Sequence, residues 1–173
     1  MVSASGCTEV DQEQLLFDDY RNLYLTSQGG VGMWLATSNA LGVGAKLEKF
    51  SGWVKAIGTP EGTLYCRVYN QTSPPSTSAT LETEATTTYD VSSISTSSYV
   101  EHEFTFDGTY TLQTGDFILL WYTQGSGGGY LSSMFELSDV YDSTDSVSGY
   151  HHSSNFRYVS GNDPTMKITY CET

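Results

Sequence analysis

The stretch ELSDVYDSTDS sets Glu136, Asp139, Asp142 and Asp145 at three-residue spacings in a segment with the composition of a loop. Ca2+ takes roughly six to eight oxygen ligands from carboxylates and loop carbonyls, so this is the first candidate cation site in the chain. Asp18 with Asp19 is a second. Neither follows EF-hand spacing, and a solvated acidic loop is the competing reading. A second chemistry-bearing feature is YTQGSGGGYL, residues 122–131, with four glycines within five residues. A phosphate cradle of the P-loop type needs a lysine after its last glycine, and a dinucleotide fold needs the glycines to open a helix. No lysine follows here, and the continuation alternates like a strand. The cluster therefore reads as an inter-strand loop, with Gly127 and Gly128 leaving room for a sugar or a partner backbone to approach.

Acid–base chemistry finds little to work with. His102 falls on the apolar phase of its segment and is expected to be buried. The adjacent His151 and His152 lie in GYHHSSNFRY and point to opposite sides if extended. Glu101 and Glu103 sit two apart on the solvent phase of one strand, where a surface role outweighs a glycosidase pair. Serines are too common for proximity to a histidine to mean anything. The chain thus reads as non-enzymatic. Its 13 Tyr, 7 Phe and 3 Trp exceed what one core buries comfortably, because each large ring needs an apolar body and an outlet for its polar tip. Tyr130, Tyr150 and Tyr158 are the rings expected to face outward and to contact a ligand. Asn70-Gln71-Thr72 is a glycosylation sequon, meaningful only in a secreted context.

The elements that position these residues are expected to be strands. Ser, Thr, Gly and Tyr dominate over Lys, Ala and Leu, a bias that disfavours helix. LYCRV places Leu64, Cys66 and Val68 on one face and Tyr65, Arg67 and Tyr69 on the other; YVEHEFTF alternates likewise. DFILLWYT is apolar on both phases, as a central strand covered on both sides would be. TMKITYC closes the chain with a further alternating run. Weaker strands are expected at 22–26, 33–37, 45–57, 130–136 and 155–159. KLEKFSGWVKAI breaks phase between Leu47 and Phe50, which predicts a bulge near Lys49. The region from Thr8 to Phe17 carries helix-start signals, although LLF could equally begin a strand. Turn chemistry in IGTPEGT, DGTY, QTGD and GNDPT separates the runs. Residues 71–88 are polar and proline-bearing and read as an excursion between sheets. The expectation is one all-β domain, a jelly-roll-like sandwich of about eight to ten mostly antiparallel strands with at most one short helix, over residues 15–173. Residues 1–14 form a terminal arm.

Seven basic against 20 acidic residues give a formal charge of −13, which disfavours nucleic acid and anionic membranes as partners. No run approaches the roughly 18 apolar residues of a membrane span. The start MVSASGCTEVDQEQ lacks signal-peptide regions, so a leader has been removed or was never used. Cys66 reads as a buried thiol. Cys7 and Cys171, near the two ends, are a candidate disulfide if the terminal strands are neighbours. A zinc site is disfavoured by the cysteine spacing.

The block KLEKFSGWVKAIGTPEGTLYCRVYN, followed by YDVSSISTSSYVEHEFTFDGTYTLQTGDFILLWYTQG, resembles a family of extracellular β-sandwich modules. The matching pieces are Lys55, Gly58, Pro60, Gly62 and Leu64; Phe104 and Phe106; and Leu112, Gly115 and Phe117. The likeness covers roughly residues 45–124. Such modules look like carbohydrate-binding jelly rolls and occur in anchored surface proteins, appendages and virions. The resemblance implies an extracellular, cell-surface or virion setting. Nothing resembling an anchor or catalytic domain follows Thr173, which leads to the expectation of a self-assembling structural subunit, joined to its copies by N-terminal strand addition. The alternative is a carbohydrate-binding protein or adhesin with an aromatic, calcium-assisted glycan site.

Overall fold

The computed structural model describes residues 8–14, 19–23, 29–125, 127–136, 146–152, 155–159 and 163–172. They form two antiparallel sheets stacked face to face. The first sheet contains β1 (Thr8–Gln14), β2 (Asp19–Leu23), β4 (Lys46–Thr59), β8 (Val100–Thr105), β10 (Gly128–Glu136), β13 (Asp163–Pro164) and β14 (Met166–Glu172). Its order is β1-β14-β4-β10-β13, with β8 also on β4 and β2 also on β10. The second sheet contains β3 (Gly29–Leu35), β5 (Gly62–Asn70), β6 (Thr80–Glu84), β7 (Tyr89–Asp90), β9 (Asp116–Gln124), β11 (Ser146–His152) and β12 (Asn155–Val159). Its order is β12-β11-β3-β9-β5-β6, with β7 also on β5. A single 3-10 turn at Val91–Ser93, capped by the Asp90 carboxylate accepting from Ser92 N, is the only helical element among the described residues.

The fourteen strands among the described residues exceed the eight to ten expected. Two of them are only two residues long, and β1, β6 and β11 carry too few apolar residues to announce themselves by alternation. The helix signals at Thr8 are overridden: Thr8–Gln14 pairs residue by residue with β14 of the same chain, Thr8 opposite Glu172 and Gln14 opposite Met166. An isolated helix of that length is marginal, whereas seven residues of ladder on a formed sheet are not. The arm expected over residues 1–14 is therefore, from Thr8 onward, a strand of the first sheet.

The main core lies between the sheets. Leu47, Phe50, Val54, Phe104, Leu131 and Ile168 from the first sheet meet Met33, Leu35, Leu64, Cys66, Ile118 and Leu120 from the second, all at most 2 % exposed. Each such side chain contributes about 1.5–3 kcal/mol by leaving water. Cys66 is a free, fully buried thiol, and burial pushes its pKa well up. Cys171 is disulfide-bonded; Cys7, its expected partner, lies outside the described residues, one position before the start of β1. The predicted bulge is present: Thr169 faces Lys49 and Tyr170 faces Leu47, so Glu48 has no partner on β14 and the apolar phase of β4 shifts there.

The proline-glycine and glycine clusters turn out to be two corners packed together. The chain passes from β4 in the first sheet to β5 in the second at Pro60 and Glu61, and returns from β9 to β10 between Gly125 and Gly127. Gly125 N donates to Glu61 O at 2.6 Å. A Cβ on Gly127 would lie 2.4 Å from Thr59 O, so that residue is walled in by the other corner, whereas Gly128 has open space beside it. Gly62 (φ 125°) and Gly129 (φ 145°) adopt backbone conformations that side chains disfavour, and a Cβ on either would strike backbone oxygen within 2.3 Å.

The turn before β9 is held by a buried charge. Asp116 is fully buried, and its carboxylate accepts from Tyr110 Oη (3.0 and 2.9 Å), Asn70 Nδ2 (2.8 Å) and Gln113 N (2.8 Å). Burial raises its pKa, and the three donors oppose that rise.

Candidate functional site

The feature that stands apart from ordinary sandwich packing is the outer face of the second sheet. On β9, Ile118, Leu120 and Tyr122 enter the main core, while Phe117, Leu119 and Trp121 point the other way and are equally buried. They form a second apolar cluster with Phe156 of β12, joined by Trp34, Tyr65 and Tyr69. DFILLWYT is thus covered on both sides, as its composition predicts. The cover on this side is irregular. Ser76, in the polar excursion, bridges to Phe156 through both backbone hydrogen bonds (3.1 and 2.8 Å). Trp34 Nε1 donates to Gln71 O at 3.2 Å.

Strand register explains how the rings converge. Direct partners on neighbouring strands share a face, so residues paired in succession form a row across the sheet. One row runs Tyr158, Gly149, Gly32, Leu119, Arg67, Glu84. On one side of it stand Trp34, Phe117 and Tyr69; on the other, Phe156, His151, Gly30, Trp121 and Tyr65. The central glycines remove side chains from the middle row. β12 curls into that gap, and Phe156 packs its ring against Phe117 (5.5 Å), Tyr69 (5.1 Å) and His151 (4.7 Å).

Of these rings only Tyr158 is well exposed; Trp34, Tyr65 and Tyr69 are half-buried, and one ion pair lies at the rim. Tyr158 is 43 % exposed and leans on Trp34, ring centroids 4.7 Å apart. At the opposite end the Arg67 guanidinium lies 4.5 Å over the Tyr65 ring and 5.7 Å from that of Trp121, and its Nε donates to Glu84 Oε2. Burial pushes the Tyr69 phenol up, with Arg67 opposing. Trp121 Nε1 is buried without a hydrogen-bond partner among the described residues.

Of the rings singled out from sequence, Tyr158 and Tyr130 stand on different sheets. Tyr158 stands on this face, exposed as expected. Tyr130 is half-buried on β10 of the first sheet, opposite Ile57, close to the corner that holds Gly127 and Gly128. Tyr150 is placed on β11 opposite Arg157, its side chain outside the described part. Glu136 ends β10 opposite Asp163, again without a described side chain. Asp139, Asp142 and Asp145 lie outside the described residues, as does Asp18. Among the described residues no group of three or more metal-ligating side chains occurs, and no helix is long and apolar enough to cross a membrane. Sequence reasoning missed Trp34, Arg67, Glu84 and Trp121 as a constellation. The alternation in LYCRVYN carried part of the signal, since it puts Tyr65, Arg67 and Tyr69 together on the phase facing away from the core.

His102 is buried, as its phase predicts, edge-on to Tyr89 at 4.7 Å, and its Nε2 has no partner among the described residues. Burial lowers its pKa below the ordinary 6.5. The unfolded chain then binds the proton more readily than the folded one, so the associated stability is present above pH 6.5 and is lost as pH falls towards the depressed folded value. Melting curves from pH 7.5 to 5 should show the parent losing more stability than His102→Leu; parallel losses would refute this.

No protein-family model, curated protein or solved structure matches the chain. The fold and this face together define a β-sandwich with a second, outward-facing aromatic layer.

Proposed function

We propose that the protein is a non-enzymatic β-sandwich module that binds glycans at a cell or particle surface. One observation carries the reading: Tyr158, an exposed ring, is braced by the partly buried Trp34, which rests on a buried aromatic cluster of Phe117, Phe156 and Trp121. A rigidly backed exposed ring such as Tyr158 offers a flat apolar face for the C–H face of a pyranose. The reading agrees with the resemblance to carbohydrate-binding jelly rolls. Self-assembly by strand addition has less support, because β1 is paired with β14 of its own chain along its whole length.

A glycan array probed with the full chain tests the reading. Tyr158→Ala, at an exposed position, should fold normally and weaken binding to the parent's best glycan by about 10-fold. Absence of any glycan hit for the parent, or unchanged affinity in the variant, would overturn it.

A further inference from the structure

We infer that β1 is an exchangeable strand: the edge of β14 that it covers takes the same strand from a second copy of the chain, and the disulfide at Cys171 decides whether that exchange occurs. This is independent of the glycan reading. β14 and β10 lie end to end on one side of β4, along Lys46–Gly52 and Val54–Thr59, because β8 occupies the other side over Lys49–Val54. β1 on β14 and β2 on β10 therefore share one continuous border of the first sheet, and among the described residues β1 pairs with β14 alone. A strand held along one side only, next to a chain terminus, belongs to the part of a fold that opens at least cost. Val10 is the single apolar residue of TEVDQEQ and packs partly buried against the main core. The ladder of seven paired residues, from Thr8 opposite Glu172 to Gln14 opposite Met166, is what places the strand.

A backbone ladder does not distinguish the β1 of one molecule from that of another. Exchange replaces every pair within the chain by the identical pair between chains, so what is lost is the tether. A strand joined to β2 through a short connection is present at an effective concentration on the order of 1 mM, and copies approaching that concentration compete for the edge. The chain itself is one attachment of β1, since residues 15–18 lead on into β2. The second is at Cys171, which is buried, disulfide-bonded and opposite Glu9 in the ladder. Cys66 is free, and the third cysteine of the sequence, Cys7, directly precedes β1. A bond between Cys7 and Cys171 holds β1 on its own β14 even while the ladder opens. Two electrons and two protons from a dithiol, itself oxidised to a disulfide, turn that bond into two thiols and leave the chain as the sole tether. The oxidised protein is then a closed monomer, and the reduced protein joins copies through the β14 edge.

The test is light scattering of the full chain, with and without dithiothreitol, at concentrations up to about 1 mM, with circular dichroism to follow the fold. The oxidised parent should stay monomeric throughout. The reduced parent should keep its strand spectrum and place about half of its chains in dimers near 1 mM, where the second copy matches the tethered strand. Cys7→Ser should do the same without reductant. A synthetic peptide of residues 1–14 carrying Cys7→Ser, added in excess to the reduced parent, should suppress the dimers because it occupies the same edge. Dimers of the oxidised parent, a reduced parent that stays monomeric or unfolds, or dimers indifferent to the peptide would each overturn the inference. If Cys7→Ser fails to fold, the comparison of oxidised and reduced parent still decides.

Discussion

Asp116→Ala is expected to lower stability by about 3–5 kcal/mol, the range for removing one partner from a buried, hydrogen-bonded charge. The reason is what remains after the carboxylate has gone. Tyr110 Oη, Asn70 Nδ2 and Gln113 N all donate to it, and Asp116 is fully buried, so water cannot readily replace it. The network ties β5, the turn before β9 and the 106–115 segment together, at the place where the middle strand of the second sheet begins. For a chain of this size the expected fall in Tm is roughly 10 to 15 °C. Asp116→Asn keeps one acceptor oxygen and should cost distinctly less. A Tm for the alanine variant within about 3 °C of the parent would refute the account.

Gly32→Ala is the second large effect. A Cβ at this position would lie 1.9 Å from the Ile118 carbonyl oxygen and 3.1 Å from Leu119 Cα. Both are backbone atoms of β9, so no side-chain rotation relieves the clash and β3 must move away from its neighbour. The expected loss is about 2–4 kcal/mol, at the upper end of overpacking. The displacement would also disturb the row beneath Phe156, and the tryptophan emission of Trp34 and Trp121 should report it. Gly128→Ala, with nothing within 4 Å, is the matched control and should change stability by no more than about 0.5 kcal/mol. Equal stability of the two variants would contradict the close approach of β3 and β9.

Particular segments show what was legible in the sequence. The all-β architecture, the doubly covered β9 and the bulge beside Lys49 are local facts of alternation, and period-two patterns report them directly. The burial of Cys66 and His102 follows from the same phases. The site was not legible in this way. Its rows join residues as distant as Glu84 and Tyr158, and which residues share a row is set by register between strands, not by spacing along one of them. The glycine cluster at 125–129 misled for a related reason. In one dimension it looks like a loose loop, but its partner corner at Pro60 and Glu61 packs against it and confines Gly127. The start at Thr8 misled because helix signals are local whereas the β14 edge that captures it is not.

The Asp116 network also bears on covalent modification. Oligosaccharide attachment at the sequon Asn70-Gln71-Thr72 requires the Asn70 amide nitrogen to act on a sugar donor, and both hydrogens of that nitrogen are in use, one on Thr114 O at 3.2 Å and one on Asp116 Oδ1 at 2.8 Å. In the folded chain the acceptor atom is turned inward, against the carboxylate. The sequon is therefore closed once the second sheet has formed, and a glycan placed there earlier would compete with the contact that anchors β9.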